Sequence, residues 1–94
     1  MASPAQIAND MEARARFWSK RDKDVAFACR DAARVIRGYV FGPAPDGRTV
    51  TGVLTRLHRL LYERFRALGS ADQEMALQRA ADAIAELRNE ARGS

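Results

Sequence analysis

"RARFWSKRDKDVAF", residues 14–27, decides whether the N-terminal part of the chain forms one helix or two. The aromatic pair Phe17–Trp18 runs into a polar hexapeptide, and apolar residues resume only at Val25. A seam with steps of four and three nevertheless passes through this stretch: Met11, Ala15, Trp18, Asp22, Val25, Cys29, Ala32, Ile36 and Tyr39. Asp22 is the single polar member, so the spacing alone favours one heptad-patterned helix from Pro4 to about Phe41.

Helix length argues instead for a corner near residues 20–24. The two later helical stretches are each about 30 Å long at 1.5 Å per residue, and an unbroken first helix would be about twice that. A break gives four segments of similar length, as in a four-helix bundle. Lys20 and Arg21 suit a helix C-terminus, while Asp22 and Asp24 suit the start of the next helix. No Gly or Asn marks the exit, so one long kinked helix is the alternative to the predicted corner.

Capping residues mark other helix ends. Ser3, Pro4 and Gln6 match a capping-box start with proline at the first helical position. The Gly- and Pro-rich segment at 42–49 is predicted to be a loop. After it, Thr49 or Thr51 is expected to cap a third helix.

The C-terminal half of the chain reads as two helices. Gly69 supplies a stop between them, and residues 70–73 match a second capping box. Apolar residues at helical spacing in the third helix are Val50, Leu54, Leu57, Leu61, Phe65 and Leu68, and in the last helix Leu77, Ala80, Ile84, Leu87 and Ala91. No alternating strand pattern occurs. We therefore predict one all-α domain over 1–94, a bundle of four segments at about 4–20, 23–41, 50–68 and 71–92.

Composition sets the environment that we expect. The formal net charge is +4, which permits an anionic partner but does not identify one. Cys29 is the single cysteine, so no intrachain disulfide can form. The N-terminus lacks the basic and apolar pattern of a secretory signal, and no apolar run is long enough to cross a bilayer. We expect a cytoplasmic protein.

Residues for catalysis or metal binding are sparse. His58 is the single histidine and has no second ligand at metal-site spacing, so we interpret it as a surface or partly buried histidine. Cys29 falls on the apolar seam, where burial makes a thiol inert. The acidic row Asp82, Glu86 and Glu90 has the spacing of a solvated helix face. We predict no cofactor, no metal, no small-molecule substrate and no enzymatic activity.

A basic stripe gives the first binding hypothesis. Its members alternate by four and three opposite the apolar seam: Arg16, Lys20, Lys23, Phe27, Arg30, Arg34 and Arg37. Arg30 and Arg37 have no acidic neighbour three or four residues away. We predict an anionic-partner surface of Arg30, Arg34, Arg37, Arg56, Arg59 and Arg66. The alternative is a solvated face, since rows of charge on helices usually give only weak pairing. If the corner exists, Arg30, Arg34 and Arg37 are expected to stand apart from the basic residues of the first helix.

Aromatic residues give the second hypothesis. Phe17, Phe27 and Phe41 lie off the seam that holds Trp18, and outward aromatic side chains are typical of interfaces. We predict a protein interface formed by Phe17, Trp18, Phe27 and Phe41. The alanines of residues 25–40 would also allow close helix approach, within the chain or to a second copy.

These patterns favour a small interaction module, a regulator, adaptor or inhibitor that binds another protein or a second copy in a homodimer. A nucleic-acid-binding protein using the arginine-rich surface is the alternative. A membrane surface ranks third, because the first helix has a thin apolar face before Trp18.

Overall fold

Four helices make up the protein in a computed structural model that describes residues 2–93. The third helix contains a π-helical turn before its last short α-helical turn. The bounds are α1 (Pro4–Trp18), α2 (Lys23–Phe41), α3 (Gly47–Leu60, then the π-helical turn Leu61–Phe65 and Arg66–Leu68) and α4 (Ala71–Gly93). No strand occurs within residues 2–93. The predicted all-α bundle of four segments is confirmed.

The predicted corner is also confirmed. α1 ends at Trp18, about two residues earlier than expected, and α2 begins at Lys23. The Trp18 carbonyl oxygen accepts hydrogen bonds from the backbone N–H groups of Arg21 at 2.9 Å and Asp22 at 2.8 Å. This tight return needs no residue in the left-handed region, since Ser19 caps α1 in the right-handed helical conformation. The absence of Gly or Asn is therefore compatible with a full break.

Asp22, the polar member of the seam, caps α2. Its Oδ1 atom accepts hydrogen bonds from the backbone N–H groups of Asp24 at 3.1 Å and Val25 at 3.4 Å. Its Oδ2 atom accepts a hydrogen bond from the Arg64 guanidinium of α3. One carboxylate thus starts α2 and joins the corner to the third helix.

The prediction that Thr49 or Thr51 caps α3 is wrong. The cap is Asp46, whose Oδ1 atom accepts from the Thr49 backbone N–H at 3.0 Å. The helix consequently starts at Gly47 rather than about residue 50, and the loop is shorter than the predicted 42–49. Gly42 ends α2 with φ +76°, a conformation that requires glycine.

The π-helical turn changes which side of α3 faces the core. Leu61 and Phe65 are buried as expected, but Leu68 is 72% exposed, contrary to its predicted place on the apolar face. A π-helical turn accommodates about one extra residue and so rotates everything after it relative to the preceding helix. Arg64 lies within the same turn and reaches Asp22.

The second predicted capping box does not form. Gly69 ends α3 in the left-handed conformation as predicted, and α4 follows at Ala71. The Gln73 Oε1 atom, however, is buried without a hydrogen-bond partner among residues 2–93, so it does not bond back to the residue 70 backbone. By contrast, Ser3 and Gln6 form their reciprocal box at α1.

The seam forms the centre of the core. Met11, Val25, Cys29, Ala32 and Ile36 are fully buried, together with Leu57, Leu77 and Ile84 from the later helices. α1 and α2 make the most extensive helix pairing. The alanines predicted to permit close approach are buried inside the chain, so they offer no surface to a second copy: Ala26, Ala28, Ala32 and Ala33.

No helix within residues 2–93 combines the length and apolar character needed to span a membrane.

Candidate functional site

Phe17 and Trp18 lie together at the corner and differ in burial. Trp18 is partly buried against the core, edge-on to Phe65 at a centroid distance of 5.8 Å. Phe17 is 51% exposed, and the Arg21 guanidinium lies 4.2 Å from its ring centroid. Trp18 therefore supports the chain's own fold, while Phe17 is exposed but partly covered.

Phe27 and Phe41 lie on α2 and flank a groove between α2 and α3. Phe27 is 56% exposed and Phe41 is 72% exposed. The groove comprises two hollows, of about 790 Å³ beside Phe41 and about 600 Å³ beside Phe27. Arg56 of α3 lines both hollows and joins them. We call this the α2–α3 groove.

Arginines occupy the α2–α3 groove between the two phenylalanines. Arg56 is engaged within the fold, because its Nη1 atom lies 2.7 Å from Asp31 Oδ2. Arg34 and Arg59 line the groove on its α2 and α3 sides, and neither has an ion-pair partner among the described residues. The predicted anionic-partner residues Arg34, Arg56 and Arg59 thus meet at one surface.

Arg30, Arg34 and Arg37 do not stand apart from the first helix, contrary to the expectation that followed from the corner. Because α1 folds back on α2, Arg16 lies with them around a shallow depression of about 370 Å³. We call these four side chains, Arg16, Arg30, Arg34 and Arg37, the four-arginine depression. Arg34 also borders the α2–α3 groove, so the two surfaces adjoin.

Arg37 is the member of this depression that is already neutralised. Its guanidinium forms an ion pair with Glu12 and donates a hydrogen bond to Asn9 Oδ1 at 2.7 Å. The hydrogen bond from Arg37 holds the pKa of the Glu12 carboxyl below its ordinary value, with a smaller contribution from the charge of Arg16. Sequence spacing misses this pairing because Glu12 belongs to another helix.

Arg66 lies away from the other predicted arginines. Its guanidinium lies 4.9 Å from the Tyr62 ring centroid, and both side chains line a second groove, between α3 and α4. This α3–α4 groove also contains Met75, which is 62% exposed, while Tyr62 is 54% exposed. Sequence reasoning missed Tyr62 and Met75, since neither interrupts the helical pattern and no spacing distinguishes them from solvated residues.

Cys29 and His58 have the environments expected of structural residues. Cys29 is fully buried, and burial raises the pKa of its thiol to about 11, so it is protonated at neutral pH. His58 is exposed with its ring centroid 6.4 Å from that of Tyr62. Within residues 2–93, no three His, Cys, Asp or Glu side chains converge in a way that could hold a metal ion.

Comparisons with family models, curated proteins and solved structures found no match to this chain.

Proposed function

We propose that this protein is a small interaction module that acts by binding another protein rather than by catalysis. The observation that carries the proposal is the exposure of Phe27 and Phe41 on a helix whose inner face is already fully packed. Complete burial of a phenylalanine stabilises by about 1.5–3 kcal/mol, so two rings that are more than half exposed on one surface leave substantial binding free energy unused. Large aromatic side chains, phenylalanine among them, dominate the energetics of protein interfaces.

The shape of the α2–α3 groove supports the same proposal. Isolated apolar side chains on a surface are ordinary, but contiguous apolar surface in a concave site is typical of a binding site. The hollow beside Phe41 is lined by the exposed residues Pro43 and Ala44 and by the buried side chains of Val35 and Val53. The role fits a regulator, adaptor or inhibitor in the cytoplasm, where a single free thiol is unexceptional. The partner is another protein or a second copy.

A paired measurement of mass and partner capture tests this proposal. The wild-type chain is expected either to show an assembled mass above that of the monomer by light scattering or to retain a defined protein after nuclease treatment. Phe27→Ala with Phe41→Ala should abolish that association, whereas Phe17→Ala, at a similarly exposed ring outside the groove, should retain it. A monomeric wild type that retains no protein contradicts the proposal, as does undiminished binding by the double variant.

Nucleic-acid binding is the second candidate, because the four-arginine depression brings Arg16 beside Arg30 and Arg34. These three guanidinium groups have no ion-pair partner within 4.0 Å among the described residues. If about three phosphates are contacted, a plot of the logarithm of the association constant against the logarithm of the salt concentration should have a slope of about −2 to −3.

Fluorescence anisotropy with duplex and single-stranded oligonucleotides tests this second candidate. Arg30→Glu with Arg34→Glu should abolish binding and its salt dependence. Arg79→Glu on α4 changes the net charge at an exposed site elsewhere and is the control. Equal loss in both variants would indicate a nonspecific charge effect and exclude the depression as the site.

A further inference from the structure

We propose that the α2–α3 groove binds an acidic amphipathic helix of a partner protein. Two apolar side chains of that helix contact Phe27 and Phe41, and carboxylates between them pair with Arg34 and Arg59. This inference rests on the proposed function and specifies the chemistry of the partner.

The length of the groove sets the form of the ligand. Phe27 and Phe41 are about fourteen residues apart on one helix, a separation of about 21 Å. The two hollows share Arg56 as a lining residue, so they adjoin at that side chain. A partner helix of about four turns spans that distance and presents one apolar residue near each end.

The distribution of charge sets the sign of the ligand. α2 and α3 together contain nine lysine or arginine residues and three acidic ones, whereas α4 contains three arginines and five acidic residues. The positive charge therefore lies on the side of the molecule that bears the groove. Arg34 and Arg59 border the groove without acidic partners among residues 2–93, and acidic side chains of a partner would complement them.

Carboxylates within the groove favour a protein ligand over a nucleic acid. Asp31 lines one hollow, and Asp24 and Glu63 line the other. Asp31 and Asp24 are each paired with an arginine, at 2.7 Å from Arg56 and 3.9 Å from Arg64, whereas Glu63 has no ion-pair partner among residues 2–93. A phosphate chain is negative along its whole length, so the unpaired Glu63 disfavours it in this groove. A helix can instead place glutamates opposite Arg34 and Arg59 and neutral residues opposite the carboxylates.

The α3–α4 groove offers a weaker case. Its rim mixes Arg66 and Arg79 with Glu74, Asp82 and Glu86, so neither sign of partner is selected. Its exposed ring, Tyr62, is already contacted by the Arg66 guanidinium. At the α2–α3 groove the Arg30 guanidinium lies farther from the Phe27 ring, at 5.8 Å, and Phe41 has no such contact among residues 2–93. Exposed aromatic surface therefore coincides there with arginines that lack acidic partners.

The test measures binding of the full chain to a synthetic helical peptide of about 20 residues by fluorescence anisotropy. The peptide has leucines about fourteen positions apart and glutamates between them on the same face. We expect binding that weakens at least about tenfold for Phe27→Ala with Phe41→Ala, and likewise for Arg34→Glu with Arg59→Glu. Phe17→Ala and Arg79→Glu should stay within about twofold of wild type. All four groove residues are exposed, and circular dichroism with urea denaturation verifies that the variants fold.

Two substituted peptides and an oligonucleotide decide between occupants of the groove. A peptide with lysine for each glutamate and one with alanine for each leucine should both bind at least about tenfold more weakly than the parent. Raising salt from about 50 to about 300 mM should weaken the parent peptide. Equal affinity for the glutamate and lysine peptides overturns the inference, as does no binding up to about 1 mM peptide. Binding of an oligonucleotide that depends on Arg34 and Arg59, when the acidic peptide fails, also overturns it.

Failure of this inference is distinguishable from failure of the proposed function. A protein partner whose capture requires Phe27 and Phe41 but is insensitive to Arg34→Glu with Arg59→Glu overturns the acidic-helix ligand and leaves the interaction module intact. Loss of both capture and peptide binding in the wild type overturns both.

Discussion

The corner between α1 and α2 and the loop between α2 and α3 both reverse the chain, but different chemical groups hold them. Side chains from distant elements close the corner: Trp18 packs on Phe65, and Asp22 pairs with Arg64. Backbone restriction closes the loop, where Gly42 has φ +76° and two prolines follow. The corner consequently depends on tertiary packing, whereas the loop is encoded by its own residues. Substitutions at the corner should test the packing of side chains, and substitutions in the loop should test the backbone conformation.

The largest effect is expected at Trp18. Trp18→Ala removes the ring that seats the corner on Phe65 and should reduce the free energy of unfolding by about 2–4 kcal/mol, less than for a fully buried tryptophan. Phe17→Ala should cost below about 1 kcal/mol, since Phe17 is half exposed. Urea denaturation followed by circular dichroism measures both.

Trp18→Phe tests whether packing of the aromatic ring holds the corner. The Trp18 Nε1 atom is buried without a hydrogen-bond partner among residues 2–93, so the smaller ring keeps aromatic packing and removes an unsatisfied donor. We expect Trp18→Phe to restore most of the stability that Trp18→Ala loses. Equal losses in the two variants would show that ring packing is not what holds the corner.

The loop should respond to a backbone substitution. Gly42 combines φ +76° with ψ 161°, a region open almost only to glycine, so Gly42→Ala should cost about 1–3 kcal/mol. Gly47 begins α3 with nothing within 4 Å of an added Cβ atom. Gly47→Ala is therefore the matched control, and it should leave stability unchanged or raise it by up to about 1 kcal/mol. A tolerated Gly42→Ala would mean that the loop adopts another backbone conformation.

The same contrast explains which parts of the fold can be predicted from sequence. The loop between α2 and α3 and the end of α3 at Gly69 can be predicted from the glycine and proline residues within them. The corner has no glycine or asparagine, and it follows from comparing helix lengths and from the change of charge sign between Lys20–Arg21 and Asp22–Asp24. Nothing predicts the π-helical turn, because the spacing from Leu61 to Phe65 is also that of an α-helix, and the exposure of Leu68 is its consequence.

Some residues of the candidate site can likewise be predicted from the sequence, and others cannot. Exposure of Phe27 and Phe41 follows from their positions relative to the seam, so sequence suffices for them. The pairing of Arg37 with Glu12 and of Arg56 with Asp31 depends on which helices are neighbours. Sequence spacing compares only residues within one helix, and it therefore left these two arginines among the candidates for an external anion.

Asp22 should show a smaller effect that separates its two contacts. Asp22→Ala removes the cap of α2 and the Arg64 pair, with an expected loss of about 1–2 kcal/mol. Asp22→Asn keeps a capping oxygen and loses only the charge pair, which is worth below about 1 kcal/mol because both side chains are partly exposed. A double-mutant cycle with Arg64→Gln measures the coupling. A coupling free energy near zero between Asp22 and Arg64 would show that Asp22 stabilises the fold only as the cap of α2.

The smallest effect concerns Asp46, the cap at the far end of the loop. The Thr49 backbone N–H lowers the pKa of the Asp46 carboxyl below its ordinary value, and the Thr49 hydroxyl lowers it further. A carboxyl with a lowered pKa in the folded state stabilises the fold at pH values above its unfolded pKa, near 4, and loses that contribution as pH falls through the folded pKa. Carboxyl carbon NMR titration should record the lowered pKa in the wild type. Thr49→Val removes the hydroxyl donor and keeps the backbone donor, so the pKa of Asp46 should rise only part of the way. If the pKa of Asp46 in Thr49→Val returned fully to its ordinary value, the backbone N–H of Thr49 would not be the main contact. The start of α3 would then depend, like the corner, on a side chain.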